Sequence, residues 1–332
     1  AYVMAFCQYL AGGSQFGAYL FYIGGVCFLG ACVWPFIGRG FNRPYLGAFI
    51  GLLWFFMPNN LCAIFIEGNL ARSLSMIFLP VFIYSVYKYL YNHKLRYIPL
   101  MVFTFLLMEL CHLGYAGMVA IAVIIYGIVY MIQKGRKKAV LDVVISMIFG
   151  FMLLGIWLVA SLRGGITSLD NSENMANFFQ NLWITINPFE RLTRGFEYFY
   201  FGFAALVVIV FGILFGYKKS RTGFVTGLII LLMTTKSAYA VLKHLPGSQY
   251  LWMLRFISIA LCMILMSFLM WDRLKKTLVL MLCVLLVVDT IPSLSLIVGE
   301  HNDISVQERM AARQDSTLIS SAQAVTKQRL AL

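Results

Sequence analysis

The sequence has few charged residues. Only 12% of its 332 residues are Asp, Glu, Lys or Arg, about half of the roughly 25% that is typical of a soluble domain. Hydrophobic residues make up 61% of the chain, and the mean hydropathy is +0.84. This composition excludes an ordinary soluble domain and indicates an integral membrane protein.

The chain also lacks the alternation of apolar and polar residues over about 10 positions that is typical of a transmembrane barrel. Apolar runs of about 20 residues recur instead, and a helix of that length crosses about 30 Å of hydrocarbon. In lipid each backbone polar group must be paired within its own segment, so such runs predict helices. We therefore predict an all-α fold, a polytopic transmembrane helical bundle, and we find no inverted repeat of the transporter type.

Metal-binding and disulfide motifs are missing as well. The seven cysteines lie within or beside apolar segments, with no C-x-x-C pair and no His at ligand spacing. This pattern supports neither a zinc site nor a disulfide framework, so we predict no metal site and no cofactor, with a divalent metal requirement left open. The net charge is +13, but the basic residues form short clusters between apolar runs. They are expected to set topology rather than to bind nucleic acid, and the predicted partner is membrane lipid.

The apolar runs between polar breaks predict about ten spans. They cover residues 16–37, 42–57, 73–91, 97–113, 115–133, 139–160, 197–217, 222–240, 251–271 and 277–298. The second run is short and is bounded by Pro58, so we interpret the following "LCAIFI" as a membrane-dipping or interfacial piece.

Basic residues predict the orientation, because Lys and Arg in short loops favour the cytoplasm. One set of alternate loops, "GRGFNR", "NHKLR", "KGRKK", "KKSR" and "DRLKK", holds fourteen Lys and Arg, and the opposite set holds four. The first set is predicted to be cytoplasmic. The loop 161–196 and the C-terminal tail are then extracytoplasmic, so 1–298 is the transmembrane domain and 299–332 begins an outward-facing soluble region. A start without Met and an end inside that region suggest a piece of a longer protein.

Charged and titratable side chains collect in the predicted outer half. An ionised side chain at bilayer depth costs about 2.5 to 3.5 kcal/mol, so several on one side predict a wet cavity with paired charges. Arg and Lys in such a cavity suit a phosphate. The predicted substrate-binding residues are Glu67, Arg72, Glu109, His112, Lys236, Lys243, His244 and Arg255.

Glu109 and His112 are three residues apart and would share a helix face, as an acid and a proton-shuttling or phosphate-contacting imidazole require. His112 could equally be a satisfied helix-end residue. Arg255 lies inside "YLWMLRFISIALCMILMSFLMW", which favours a functional role. Asp289, just before "TIPS", is interpreted as a helix-end residue and is left out of the site.

Several of these charges also have structural interpretations. Arg72, Lys236 and Lys243 could extend to the lipid headgroups from an apolar stem. Glu67 and Arg72 could form a structural salt bridge, although a spacing of five residues is not ideal within one helix.

Four segments resemble a bacterial membrane family labelled 6-pyruvoyl-tetrahydropterin-synthase-related, which is similar in layout to GT-C glycosyltransferases. "FIEGNLARSLSMIFLPVFIYSVY" resembles its acidic, glycine and "LP" pattern, and "LMELCHLGYAGMVAI" is similar to its next span with a His. "HLPGSQYLWMLRFISIA" resembles its late "lPg…w…RF" segment. "AQAVTKQRLAL" resembles the opening of its outward soluble domain.

The resemblance implies a polyprenyl-phosphate-linked sugar as donor, bound by basic residues at the outer membrane face, with inversion at the sugar carbon. Glu67, His112 and Arg255 are the pocket residues that it implies. In GT-C enzymes the catalytic carboxylate lies in the first outer loop, and this chain is expected to begin beyond it, so the catalytic residue is unknown. Pterin chemistry is rejected because no clustered His set is present.

Three functions remain open from the sequence. The charges on one side favour a glycosyltransferase-like membrane enzyme with a pocket at one membrane face. A transporter would show polar residues or broken helices near the midplane, of which there are few. A non-catalytic membrane scaffold for an extracytoplasmic domain is the third interpretation.

Overall fold

The computed structural model shows a helical membrane domain. It describes residues 2–155, 158–159, 179–189, 199–216, 218–245, 248, 251–271 and 274–294. Most of the predicted loop 161–196 and all of the predicted soluble region 299–332 lie outside these residues. Within the described ranges the regular elements are helices, and an isolated bridge joins Gln180 to Thr235.

The described part of the chain contains thirteen α-helices and one short 3-10 turn, Met253–Arg255. The helices are α1 Tyr2–Leu10, α2 Gln15–Gly40, α3 Pro44–Phe56, α4 Pro58–Phe65, α5 Leu70–Asn92, α6 Tyr97–Lys134, α7 Lys137–Leu153, α8 Leu182–Ile186, α9 Phe203–Phe215, α10 Lys218–Met233, α11 Lys236–Leu242, α12 Phe256–Met270 and α13 Lys276–Val288. All of them lie in the compact unit Ala1–Ser293.

Four segments among the described residues are long and apolar enough to cross a membrane, namely α2, α5, α6 and Met253–Met270. A fifth span results if α3 and α4, which are bent by 54° at Met57, are counted as one. Helices α9 and α13 are apolar but shorter. The all-α membrane fold is thereby confirmed, and the predicted number of about ten spans stays a prediction.

Helix α6 folds back on itself at His112. Its 38 residues would measure about 57 Å if straight. Both of its ends nevertheless contact the C-terminal half of α5, because the rings of Tyr97 and Tyr84 are 6.1 Å apart and the Tyr130 hydroxyl donates to the Leu90 carbonyl at 2.5 Å. His112 has non-helical angles, φ −153° and ψ 92°. Residues 97–111 and 113–134 are therefore two antiparallel legs, which correspond to two of the predicted spans.

Helix α12 is the centre of the bundle. Of the residues in its span, 94% are buried inside the protein, and it packs against α3, α4, α5, α6, α9 and α10. Glycine allows the close approach of α10, since a Cβ on Gly223 would lie 1.9 Å from the Ser267 hydroxyl. The buried Tyr87 hydroxyl of α5 donates to the Met263 carbonyl at 3.1 Å. This packing fixes the residues that precede α12, including Arg255.

Asp289, at the end of α13, caps another helix. Its carboxylate accepts hydrogen bonds from the backbone N–H groups of Ala204 and Ala205 at 2.9 and 2.7 Å, and from the Tyr200 hydroxyl at 2.8 Å. The first N–H groups of a helix have no partner within it, and its N-terminus favours negative charge. The helix-end interpretation of Asp289 is correct, although the helix it serves is α9.

Candidate functional site

The turn between α4 and α5 positions the first functional side chains. The Glu67 N–H donates to the Cys62 carbonyl at 2.8 Å at the end of α4. Gly68 then adopts φ +57°, a left-handed conformation that suits glycine. Asn69 accepts a hydrogen bond from the Arg72 N–H at 2.9 Å and so caps α5. This reversal directs Glu67 toward the first turn of α5.

Arg72 is fully buried in that first turn. A cation at a helix N-terminus is disfavoured by the helix dipole, so it needs compensation. Its Nη1 donates to Glu67 Oε1 at 2.8 Å, and its Nη2 donates to Asn59 Oδ1 at 2.7 Å. The Tyr115 ring lies 5.7 Å from its Cζ. The pair predicted as a possible structural salt bridge therefore forms across the turn, not along one helix.

Asn59 connects this ion pair to α12, and sequence reasoning missed it. It is fully buried in the first turn of α4, and its Nδ2 donates to the Leu254 carbonyl at 3.0 Å. The adjacent asparagines of "PNNLC" were a usable signal, because an amide within an apolar helix needs hydrogen-bond partners.

Arg255 faces Glu67 and His112 from the turn before α12. Its Nη2 is 3.7 Å from Glu67 Oε2, an ion-pair distance rather than a hydrogen bond. Its Nη1 is 3.3 Å from His112 Nε2, and its Cζ lies 4.5 Å from the centre of the Trp252 ring. Its Nε has no hydrogen-bond partner among the described residues. We call Asn59, Glu67, Arg72, His112 and Arg255 the polar cluster.

A neutral His112 cannot accept hydrogen bonds from both the Tyr115 N–H and the Arg255 guanidinium. Its Nδ1 accepts the N–H of Tyr115 at 3.2 Å, which makes it the N-cap of the second leg of α6. A neutral imidazole that accepts at Nδ1 carries its proton on Nε2. The Nε2–H then faces a guanidinium that has only donors, so two donors meet at 3.3 Å. An acceptor atom placed between them would satisfy both.

The polar cluster carries more positive than negative charge. Arg72 and Arg255 are permanently charged, and Glu67 is the carboxylate that pairs with both. Within the described ranges no second carboxylate forms a salt bridge with either arginine. With a neutral His112 the cluster carries one excess positive charge, and this electrostatic balance favours an anion.

The comparisons with known proteins identify a family. Residues 1–297 match the family described as 6-pyruvoyl-tetrahydropterin synthase related domain, membrane protein. The chain belongs to this family. The predicted family label and the membrane location are thus confirmed. No curated protein and no solved structure matches the chain.

In this member of the 6-pyruvoyl-tetrahydropterin synthase related family, Glu109 lines a cavity between α6 and α7. No residue of the polar cluster lines that cavity. The chain leaves helical geometry at His112, and a face shared by Glu109 and His112 stays a prediction.

The other predicted basic residues are exposed. Lys236, Lys243 and His244 lie in and after α11, and the Lys243 Nζ is 5.7 Å from the centre of the Tyr239 ring. Among the described residues, no hydrogen bond or salt bridge joins these three side chains to the polar cluster. A metal-binding group of three or more His, Cys, Asp or Glu is likewise absent from the described ranges. A substrate role for the eight predicted site residues stays a prediction.

Proposed function

We propose that the protein is a glycosyltransferase-like membrane enzyme that uses a polyprenyl-phosphate-linked sugar at the outer membrane face. The proposal includes the GT-C layout with about ten spans and the outward-facing loop and tail. The observation that carries it is the polar cluster, with its excess positive charge and its two opposed donors at Arg255 and His112. The phosphodiester of such a donor has one negative charge, and its oxygens accept hydrogen bonds.

The cluster suggests a role for each group. Arg255 would hold the phosphate through its planar fork, and the His112 Nε2–H would donate to a second oxygen of the same group. Glu67 Oε2 has no hydrogen-bond partner among the described residues, so it can orient or take a proton from an acceptor hydroxyl. Arg72 and Asn59 are positioning residues, because their hydrogen bonds are made within the fold.

A non-catalytic scaffold is the second candidate. The hydrogen bonds among Glu67, Arg72 and Asn59 tie α4, α5 and the turn before α12 together, and such a network could serve the fold alone. Breaking a buried ion pair costs about 3 to 5 kcal/mol of folding stability. The network therefore stabilises the fold whether the protein is an enzyme or a scaffold.

The test is sugar transfer by the full-length protein in membrane vesicles that contain a radiolabelled polyprenyl-phosphate sugar. Glu67→Gln keeps the side-chain shape and should reduce transfer while leaving donor binding nearly unchanged. Sugar transfer by Glu67→Gln at the wild-type rate would show that Glu67 does not take or orient a proton of the acceptor hydroxyl. No transfer by the wild-type protein with any of a panel of donors would favour the scaffold.

A further inference from the structure

The cavity at Glu109 lies apart from the polar cluster. It has a volume of about 410 Å³ and is formed by both legs of α6 and by α7, within the range of about 300 to 1,000 Å³ of small-molecule sites. Its lining is apolar except for Glu109. Three lining residues, Ile124, Ile148 and Phe151, are 41%, 53% and 45% exposed, so the cavity opens through an apolar rim.

Glu109 has an unused hydrogen-bonding atom in this cavity. The residue is only 2% exposed, and its Oε2 has no hydrogen-bond partner in the described part of the chain. It also lies in the last turn of the first leg of α6, where the helix dipole disfavours negative charge. The lining around this carboxyl group is otherwise apolar, and burial in such surroundings without a partner disfavours the ionised form. The neutral acid, which donates through its O–H, is the form that suits this site.

We propose that this cavity is a binding site for a phospholipid of the surrounding bilayer. One acyl chain would occupy the apolar groove, and its ester carbonyl would accept a hydrogen bond from the neutral Glu109. The apolar rim admits a ligand from the lipid phase. Glu109 is three residues before the fold-back at His112, about 4.5 Å along the axis from the end of the leg. A position within one turn of the end of a membrane-crossing helix suits a contact with a lipid ester group. The site does not depend on the proposed enzyme function.

Gly117 provides a variant that fills the cavity. It lines the groove, and a Cβ at this position would meet nothing within 4 Å. Gly117→Leu should therefore occupy the groove without straining the helix. Gly24→Leu is the matched control, because Gly24 is an exposed glycine of α2 that also has open space.

The experiment is photolabelling of the full-length protein in phosphatidylcholine vesicles that contain a small fraction of phosphatidylcholine with a diazirine in one acyl chain. On irradiation the diazirine loses N₂, and the carbene inserts into a nearby C–H bond. Peptide mapping should find several-fold more label at 105–124 and 144–151 than at the exposed apolar residues of α2. Gly117→Leu should reduce that excess several-fold, and Gly24→Leu should leave it unchanged.

The Glu109 variants separate the hydrogen bond from the shape of the groove. Glu109→Gln keeps an N–H donor and should keep the labelling, whereas Glu109→Leu should reduce it. Labelling of the cavity at the level of α2, or labelling that Gly117→Leu does not change, would overturn the proposal. Equal labelling of Glu109→Gln and Glu109→Leu would overturn the role of Glu109.

Discussion

At the scale of single residues, His112 has two separable roles. Its Nδ1 caps the second leg of α6, and its Nε2 faces Arg255. Asn is a preferred N-cap residue, so His112→Asn should keep the cap. The shorter amide cannot extend to Arg255. We expect His112→Asn to unfold at nearly the wild-type temperature and to bind a polyprenyl-phosphate sugar more weakly.

His112→Ala is the companion variant, because it removes both functions. It should lose about 0.5 to 2 kcal/mol of stability through the missing cap, together with the same fall in affinity. Thermal unfolding and donor binding, measured on both variants in one detergent, check the expectation. Wild-type affinity in a folded His112→Asn protein would show that Nε2 contributes nothing to binding.

Single residues were predictable where a charge stood alone in an apolar run. Arg255 and Glu67 were found in this way, and the structure places them 3.7 Å apart. Lys236 and Lys243 gave the same signal but are exposed, because a long basic side chain can extend out of an apolar segment. Asn59 gave a weaker signal, since an amide carries no charge and its partners are 13 and 195 residues away in the sequence.

At the scale of elements, the fold-back of α6 can be measured as a distance. Leu95 precedes α6 and Ile132 lies near its C-terminal end, and they are 72% and 80% exposed. They can therefore carry spin labels in a variant without the native cysteines. A continuous straight helix would separate them by about 55 Å. We expect an electron-electron distance well under half of that value. A distance near the straight-helix value would contradict the two-leg description.

The start of helix α9 is held by Asp289, a residue from much later in the chain. Gly202 precedes α9 at φ +130°, and a Cβ there would lie 2.4 Å from Asp289 Oδ2. Asp289→Asn replaces a carboxylate oxygen with an NH₂ group, which cannot accept hydrogen bonds from the backbone N–H groups. The variant should lose about 1 to 3 kcal/mol of its free energy of unfolding. Gly202→Ala should destabilise the protein too, through strain and overlap. Chemical unfolding of both variants checks this, and wild-type stability of Asp289→Asn would show that the cap is unimportant.

The sequence predicted elements better than it predicted their junctions. Apolar runs marked α2 and α5 closely, because burial in lipid requires a continuous apolar helix. The boundary between the two predicted spans 97–113 and 115–133 falls at Gly114, close to the observed break at His112. The capping of α9 by Asp289 could not be predicted, since it depends on packing between helices that are 60 residues apart in the chain.

At the scale of the whole molecule, the basic loops predict the topology. Cysteine or glycosylation reporters at Asn171 and Gln314, both outside the described residues, should be accessible from outside the cell. A reporter at Gly135, between α6 and α7, should be cytoplasmic. The expectation follows from the excess of Lys and Arg in one set of loops. Asn171 and Gly135 on the same side would contradict it.

The anion site can be tested by equilibrium binding of a polyprenyl-phosphate sugar to purified full-length protein. A contact to a charged group is worth about 1.5 to 3 kcal/mol, so Arg255→Met should weaken binding on the order of ten- to hundredfold. Arg255→Lys keeps the charge without the fork and should weaken it less. Arg39→Met is the matched control, since Arg39 is exposed and lies 5.5 Å from the Phe36 ring. Equal affinity of the wild-type and Arg255→Met proteins would contradict the anion site.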